Sequence, residues 1–169
     1  MDTDGDGFLE KDGEKITLAI TCYANNSFKG LSEALQASLK NNGLDSAITV
    51  SDSIVADLTA GSFNIATYGY TTLSLDDGYN FLSPVFRTNA SSNFIKCSDP
   101  AVDALLDRLA AEPDAAARRQ LSIEMQKNIY ASNDYVFLLH INSYKVAGAG
   151  VKNVETGIGN SFYLWKVTK

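Results

Sequence analysis

The sequence predicts an α/β fold, a mostly parallel sheet with helices on both faces, in a single lobe that spans residues 1–169. Two observations predict this class. A strand, an amphipathic helix ended by glycine and a second strand follow one another early in the chain, and the pattern then begins again. Strand-helix-strand order favours parallel pairing, because the helix returns the chain to the same edge of the sheet. Ligands bind such sheets at the carboxyl ends of their strands.

The first repeat is the clearest. Residues 15–23 predict a strand, since β-branched and apolar residues alternate there with polar ones. Leu31, Leu35 and Leu39 recur every four residues and predict a helix of about three turns. Gly43 follows, where a left-handed residue ends a helix.

The second repeat is shorter. Residues 47–50 predict a strand, and Asp52 or Ser53 can cap a helix that ends at Gly61. Residues 63–68 predict the third strand. The loop after that strand lies at the edge of the sheet where we expect a ligand.

Helices dominate the next part of the chain. A short helix is expected within residues 76–86, and Asp99 with Pro100 predicts the start of another. Asp114 caps a third helix that continues to about Asn133. The last two helices follow each other directly, so we expect a helical hairpin.

Three further strands are predicted near the end of the chain. Residues 135–141 form a nearly continuous apolar run, which is typical of a strand buried on both faces. Residues 144–147 and 162–167 predict two more strands.

Charge and composition exclude several classes. The net charge of -6 and pI near 4.7 argue against a nucleic-acid surface, which relies on clustered Lys and Arg. No apolar run approaches the roughly 20 residues that cross a bilayer. Cys22 and Cys97 leave the redox compartment open, and sequence alone does not decide whether they pair.

The acidic start of the chain suggests a cation site. Asp2, Asp4 and Asp6, followed by Gly7, match the first half of a calcium loop. The second half fails, because Gly13 stands where a bidentate glutamate belongs. A helix-loop-helix calcium sensor is therefore disfavoured. A single structural calcium ion and a plain polar turn both remain open, and no other cofactor is expected.

Catalysis finds no support in the sequence. His140 is the only histidine, and it lies in an apolar run without an adjacent acid, which is more typical of a core or strand-end residue than of a base. No Gly-x-Ser-x-Gly elbow and no Gly-rich phosphate loop are present. Side chains of several histidines cannot hold nickel here, although a nickel chelate remains possible.

The order of segments resembles the C-terminal lobe of the extracytoplasmic solute-binding proteins of peptide, dipeptide and nickel ABC importers, family 5. The segments that carry the resemblance are residues 2–10, 32–40 with Gly43, 61–65, 69–70, 77–82, 99–106 and 118–130. The resemblance implies a noncatalytic lobe that supplies half of a ligand cleft. It also implies a missing N-terminal lobe, a membrane permease as partner, and a periplasmic or lipid-anchored full-length protein. A peptide-like solute is favoured over a nickel chelate, and a free-standing interaction domain is the alternative.

The resemblance also suggests which residues bind ligand. Tyr70 after Gly69 matches a glycine-aromatic pair that packs on ligand, although an aromatic cover for the sheet edge is equally expected. In dipeptide-binding relatives an acid binds the ligand's amino terminus. Here Asp76 or Asp77 takes that role, or the ligand has no free amine; ordinary turn chemistry is the alternative for both. The expected ligand-binding residues are Tyr70, Thr71, Thr72, Asp76, Asp77 and Tyr79. Gly78 replaces the proline that follows the family's acid, which leaves this turn less rigid.

Overall fold

The computed structural model describes residues 1–72, 77–140, 144, 146–156, 162–163 and 167–168. These residues fall into two compact units, Met1–Gly69 and Tyr70–Lys169. Among the described residues, no helix is long and apolar enough to cross a membrane. The single lobe stays a prediction.

The first unit is built on a three-stranded parallel sheet. Its elements are β1 (Glu10–Lys11), β2 (Glu14–Lys15), β3 (Thr17–Tyr23), α1 (Asn26–Asn41), β4 (Asp45–Ser51), α2 (Ile54–Ala60) and β5 (Ile65–Thr67). β3 lies in the middle, with β4 and β5 as parallel partners on its two sides. β1 and β2 form a separate antiparallel pair. The predicted α/β class and the parallel pairing are confirmed.

The first repeat differs from its prediction only in its boundaries. The observed strand β3 starts at Thr17, later than the predicted strand 15–23, because Lys15 pairs with Glu10 in the β1–β2 hairpin. The helix is longer than three turns, with 16 residues in α1. The Asn25 side chain fixes its start by accepting a hydrogen bond from a backbone N–H of the first turn. Gly43, just after the helix, has φ 75°, which glycine adopts without steric cost.

The second repeat differs from its prediction in its helix cap and in the length of its last strand. α2 begins after Ser53 and ends at Gly61, as predicted, but the Ser53 side chain makes no capping hydrogen bond. The observed strand β5 is shorter than the predicted strand 63–68, and Asn64, just before it, pairs with β3 partly through its side chain. Asn64 Oδ1 accepts from the Ala19 N–H at 2.8 Å, and the Asn64 N–H donates to the Ala19 carbonyl at 2.9 Å.

The second unit is mainly helical in its described part. Its helices are α3 (Tyr79–Phe86), α4 (Pro100–Ala111) and α5 (Ala115–Ser132). Asp99 and Asp114 cap α4 and α5 through their side chains, as predicted. α4 and α5 pack against each other, so the predicted helical hairpin is confirmed. The buried core of this unit consists of Leu82, Val85, Phe86, Val102, Leu105, Leu106, Leu109, Leu121, Met125 and Ile129.

The predicted strand 135–141 is wrong for the residues that the structure describes. Residues 135–140 form no strand, and Ile141 lies outside the described residues. Four consecutive apolar side chains are exposed here: Val136 (79%), Phe137 (59%), Leu138 (55%) and Leu139 (55%). We call these four residues the apolar segment. A strand buried on both faces needs neighbours at its edges and faces, and no described strand pairs with this one. His140 is exposed as well, rather than part of a core.

The last described strands are short. β6 (Glu155–Thr156) and β7 (Phe162–Tyr163) pair antiparallel. The predicted strand 162–167 is therefore confirmed for its first two residues, and residues 164–166 lie outside the described part. The predicted strand 144–147 is wrong at its three described residues, which pair with no described strand; Lys145 is not among them.

Candidate functional site

Parallel pairing brings three strand ends to one edge of the first unit. In the register of the sheet, Tyr23 at the end of β3 lies beside Ser51 at the end of β4. Cys22 pairs with Thr67, which ends β5. This edge, the rim, is where parallel sheets bind ligands.

Buried hydroxyl groups at the rim are satisfied within the chain. The buried Ser32 and Thr67 hydroxyls share a hydrogen bond of 2.7 Å, which joins α1 to β5. The Ser51 hydroxyl donates to Asp57 Oδ2 at 2.5 Å and accepts from the Ser53 N–H at 3.0 Å. These groups stabilise the rim, because a buried hydroxyl without a partner is costly.

Aromatic rings cover the same edge. Tyr23 stacks on Tyr68 with ring centroids 5.4 Å apart and contacts Phe28 at 5.1 Å. We call these three residues the rim cluster. Sequence reasoning missed them as site residues. The available signal was an aromatic residue at the end of β3 and another directly after β5, its neighbour in the sheet. Half-buried rings of this kind offer flat apolar surface to a ligand.

Gly69 is required by the ring above it. A Cβ at position 69 would lie 2.5 Å from Phe28 Cζ, closer than Cβ atoms come to other atoms. The glycine of the predicted glycine-aromatic pair therefore serves close packing against the rim cluster.

In the second unit, Tyr70 is supported from below by other aromatic rings. Its side chain is 39% exposed, and its ring lies 5.5 Å from Phe81. Phe81 contacts Phe86, which contacts Tyr135, so a row of rings runs from Tyr70 through α3. A supported, partly exposed ring suits stacking on a ligand. Its role in binding stays a prediction.

The other expected ligand residues differ in accessibility. Thr71 is exposed and Thr72 is half-buried. Asp76 lies outside the described residues. Tyr79 begins α3 and packs partly buried against the helical core, with its hydroxyl in contact with Arg87.

Asp77 is engaged within the chain through both carboxylate oxygens. Oδ2 accepts a hydrogen bond from Arg118 Nη2 at 2.6 Å, and Oδ1 accepts from the Tyr79 N–H at 3.0 Å. The Arg118 guanidinium and then the Tyr79 N–H lower the pKa of Asp77 below its usual value. These contacts favour a structural role for Asp77 over direct binding of a ligand amine.

No protein-family model matches the chain. A stretch of 129 residues is 26% identical to the oligopeptide-binding protein OppA of Mycobacterium tuberculosis. The aligned stretch covers 73% of this chain and 21% of OppA. The chain therefore spans about a fifth of the length of this curated relative. The periplasmic oligopeptide-binding protein of Thermotoga maritima, solved with bound mannohexaose, superposes with a TM-score of 0.64 and 25% identity, over 76% of this chain and 26% of that one. The resemblance to solute-binding proteins of ABC importers is confirmed.

A second similar structure supports the fold of this partial lobe. NikA from Staphylococcus aureus, in complex with a nickel compound of L-histidine, superposes with a TM-score of 0.64. Its identity is 18%, over 68% of this chain and 25% of NikA. At this identity, the match to NikA shows a shared fold and gives no information about the ligand.

The acidic loop of the lobe brings four carboxyl groups together. One oxygen from each of Asp2, Asp4, Asp6 and Glu10 lies within 4.8 Å of the others. Sequence reasoning missed Glu10, although it stands at position nine counted from Asp2, a position that ligates calcium in such loops, often through water. Lys15 Nζ lies 2.6 Å from Asp6 Oδ2, and this hydrogen bond lowers the pKa of Asp6. The Lys15 ammonium therefore already pairs with one of the carboxylates that would bind a cation. The calcium site stays a prediction.

The two cysteines of the lobe are both free thiols. Cys22 is buried in β3. Burial, and then a hydrogen bond that the Cys97 thiol donates to Asp134 Oδ2 at 3.4 Å, raises the pKa of Cys97. Cys97 is therefore protonated near neutral pH and is a poor nucleophile. Beside it, burial raises the pKa of Tyr135 to about 12.

Proposed function

We propose that this chain is the ligand-gripping lobe of an extracytoplasmic solute-binding protein that delivers its solute to the permease of an ABC importer. One observation carries the proposal: the rim cluster covers the ligand-binding edge of a parallel sheet in a chain similar to an oligopeptide-binding protein. Such a lobe binds without catalysis.

The chemistry of the rim favours a solute with apolar surface. The rim hydroxyls bond to each other and to Asp57, whereas the half-buried rings of the rim cluster offer apolar contact surface. Aromatic rings accept side chains of many shapes, which suits a peptide-like solute. A nickel chelate is second, since the nickel-binding neighbour supports the fold alone. Sugar faces also stack on aromatic rings, and the Thermotoga neighbour was solved with mannohexaose.

A second lobe completes the proposed site. When two lobes close on a solute, contacts from both act together, so one lobe alone binds far more weakly. The apolar segment supports the presence of a partner, because four neighbouring apolar side chains at 55–79% exposure are costly in water. We propose that a second, N-terminal lobe of the same protein covers this segment.

Calorimetry on the full two-lobed protein tests the proposal. The titrants are dipeptides, longer peptides, mannohexaose and the nickel complex of L-histidine. We expect heat with peptides and far weaker binding by the isolated chain. Heat with mannohexaose or the nickel complex alone overturns the peptide-like solute, and micromolar or tighter peptide binding by the isolated chain supports a free-standing interaction domain instead.

A matched pair of variants tests the rim cluster itself. Tyr23→Leu removes the ring that contacts both other members and should weaken peptide binding about tenfold, because one aromatic contact contributes on the order of 1 kcal/mol. Tyr130→Leu is the control, since this tyrosine is 72% exposed on α5. Equal affinities in the two variants would place the solute elsewhere.

A further inference from the structure

We propose that Arg118 is a positioning residue for solute binding. It fixes Asp77, and with it the start of α3, the helix whose Phe81 ring supports the expected ligand residue Tyr70. The inference rests on the proposed binding function, and it concerns a residue that no ligand needs to touch.

Arg118 joins three parts of the second unit. Its Nη1 donates to the Leu109 carbonyl at 2.5 Å and to the Glu112 carbonyl at 2.9 Å. Its Nη2 donates to Asp77 Oδ2 at 2.6 Å. The first two bonds satisfy carbonyls at the carboxyl end of α4, which have no partner within that helix. A planar guanidinium can serve all three acceptors at once, whereas a lysine ammonium cannot match this geometry.

The other end of the ion pair starts α3. Asp77 Oδ1 accepts from the Tyr79 N–H at 3.0 Å, which sets the first turn of the helix. Gly78 runs close to α5, because a Cβ at this position would lie 3.3 Å from Ser122 Oγ. The Ser122 hydroxyl in turn donates to the Arg118 carbonyl at 3.0 Å. Residues 77–79 are therefore held against α5 by an ion pair and by close packing.

Tyr70 and Asp77 both depend on α3. Tyr70 rests on Phe81, which lies in the first turn of α3, and Asp77 starts the same helix. The Arg118 and Asp77 side chains are 24% and 34% exposed, so water screens this pair less than a surface pair. If the start of α3 is loosened, ordering it again on binding costs free energy. Loss of Arg118 should therefore lower affinity without removing a ligand contact.

The chain offers a matched control for this pair. Arg87 Nη2 bonds Asp107 Oδ1 at 2.8 Å in the same unit, and the Asp107 side chain is 71% exposed on α4. Because Arg87 also contacts the expected ligand residue Tyr79, the control variant is made at Asp107. In the full two-lobed protein, Arg118→Gln should weaken binding of a peptide about tenfold, as expected when one side-chain contact orders the support of a binding residue. Asp107→Asn, which removes only the second ion pair, should change it less than twofold. Equal effects of the two variants overturn the inference, since general destabilisation would then explain both.

A second comparison separates positioning from direct binding. If Arg118 acts through Asp77, then Asp77→Asn, Arg118→Gln and the double variant lose similar affinity, because residues of one interaction are not additive. The loss should be the same for a peptide with a free amine and for its acetylated form. A larger loss in Asp77→Asn, confined to the free amine, overturns the inference and assigns Asp77 to the ligand.

Hydrogen exchange tests the same contact without any ligand. In Arg118→Gln, backbone amides of residues 77–79 should exchange about tenfold faster than in the unsubstituted protein, with no such change in Asp107→Asn. Unchanged exchange overturns the inference. If the unsubstituted protein binds no peptide, the proposed function fails, and exchange at residues 77–79 alone decides the role of Arg118.

Discussion

At the residue scale, individual roles could be predicted where a local rule governs them. Gly61 ends α2 in a left-handed conformation and Asp99 caps α4, because helix ends leave backbone groups that such residues satisfy. The sequence could not predict that the Asn64 side chain extends the pairing of β3, or that Arg118 holds Asp77. Those contacts join residues far apart in the chain, and no local pattern records them.

Gly69 gives the sharpest prediction at this scale. Gly69→Ala places a methyl group against Phe28, so the ring must move, and overpacking of this kind costs about 1–3 kcal/mol. Gly30→Ala in α1 is the control, since a Cβ there meets nothing within 4 Å and alanine favours the helix by up to about 1 kcal/mol. Urea unfolding measures both. A Gly69→Ala protein as stable as the unsubstituted one would show that Phe28 does not pack on this glycine.

At the scale of elements, helices were predicted better than strands. The two caps and the apolar spacing of α4 and α5 are local features, and the structure confirms them. The strand 135–141 was predicted from apolar content alone. Apolar content indicates that burial of a segment is favourable, but it does not indicate which part of the protein covers the segment. The candidate site shows the same division: the rim followed from the order of elements, whereas the rim cluster depends on side-chain packing across the sheet.

Helix capping provides a matched prediction at the same scale. The Asp99 side chain accepts from the Ala101 and Val102 N–H groups, whereas the Ser53 side chain caps nothing. Asp99→Ala should therefore lower the free energy of unfolding by about 1 kcal/mol, and Ser53→Ala by less than about 0.5 kcal/mol. Chemical denaturation of the two variants measures the difference. A larger loss at Ser53 would mean that α2 starts with a side-chain cap absent from this structure.

At the scale of the whole molecule, the proposed partner lobe makes the cost of a substitution depend on what surrounds it. Phe137 in the apolar segment is 59% exposed in this chain. If the N-terminal lobe covers it, Phe137→Ala in the full two-lobed protein creates a cavity and should cost about 3 kcal/mol. In the isolated chain the same change should cost less than about 0.5 kcal/mol.

Unfolding of both proteins, with and without the substitution, measures this difference. Val146→Ala is the control, because this residue is 94% exposed and lies outside the apolar segment. The isolated chain should also bind a hydrophobic dye through the apolar segment, and the full protein should bind far less, since large exposed apolar patches attract such probes. A Phe137→Ala cost that is equally small in both proteins would show that the apolar segment stays in water, and the proposed second lobe would then need a different contact surface.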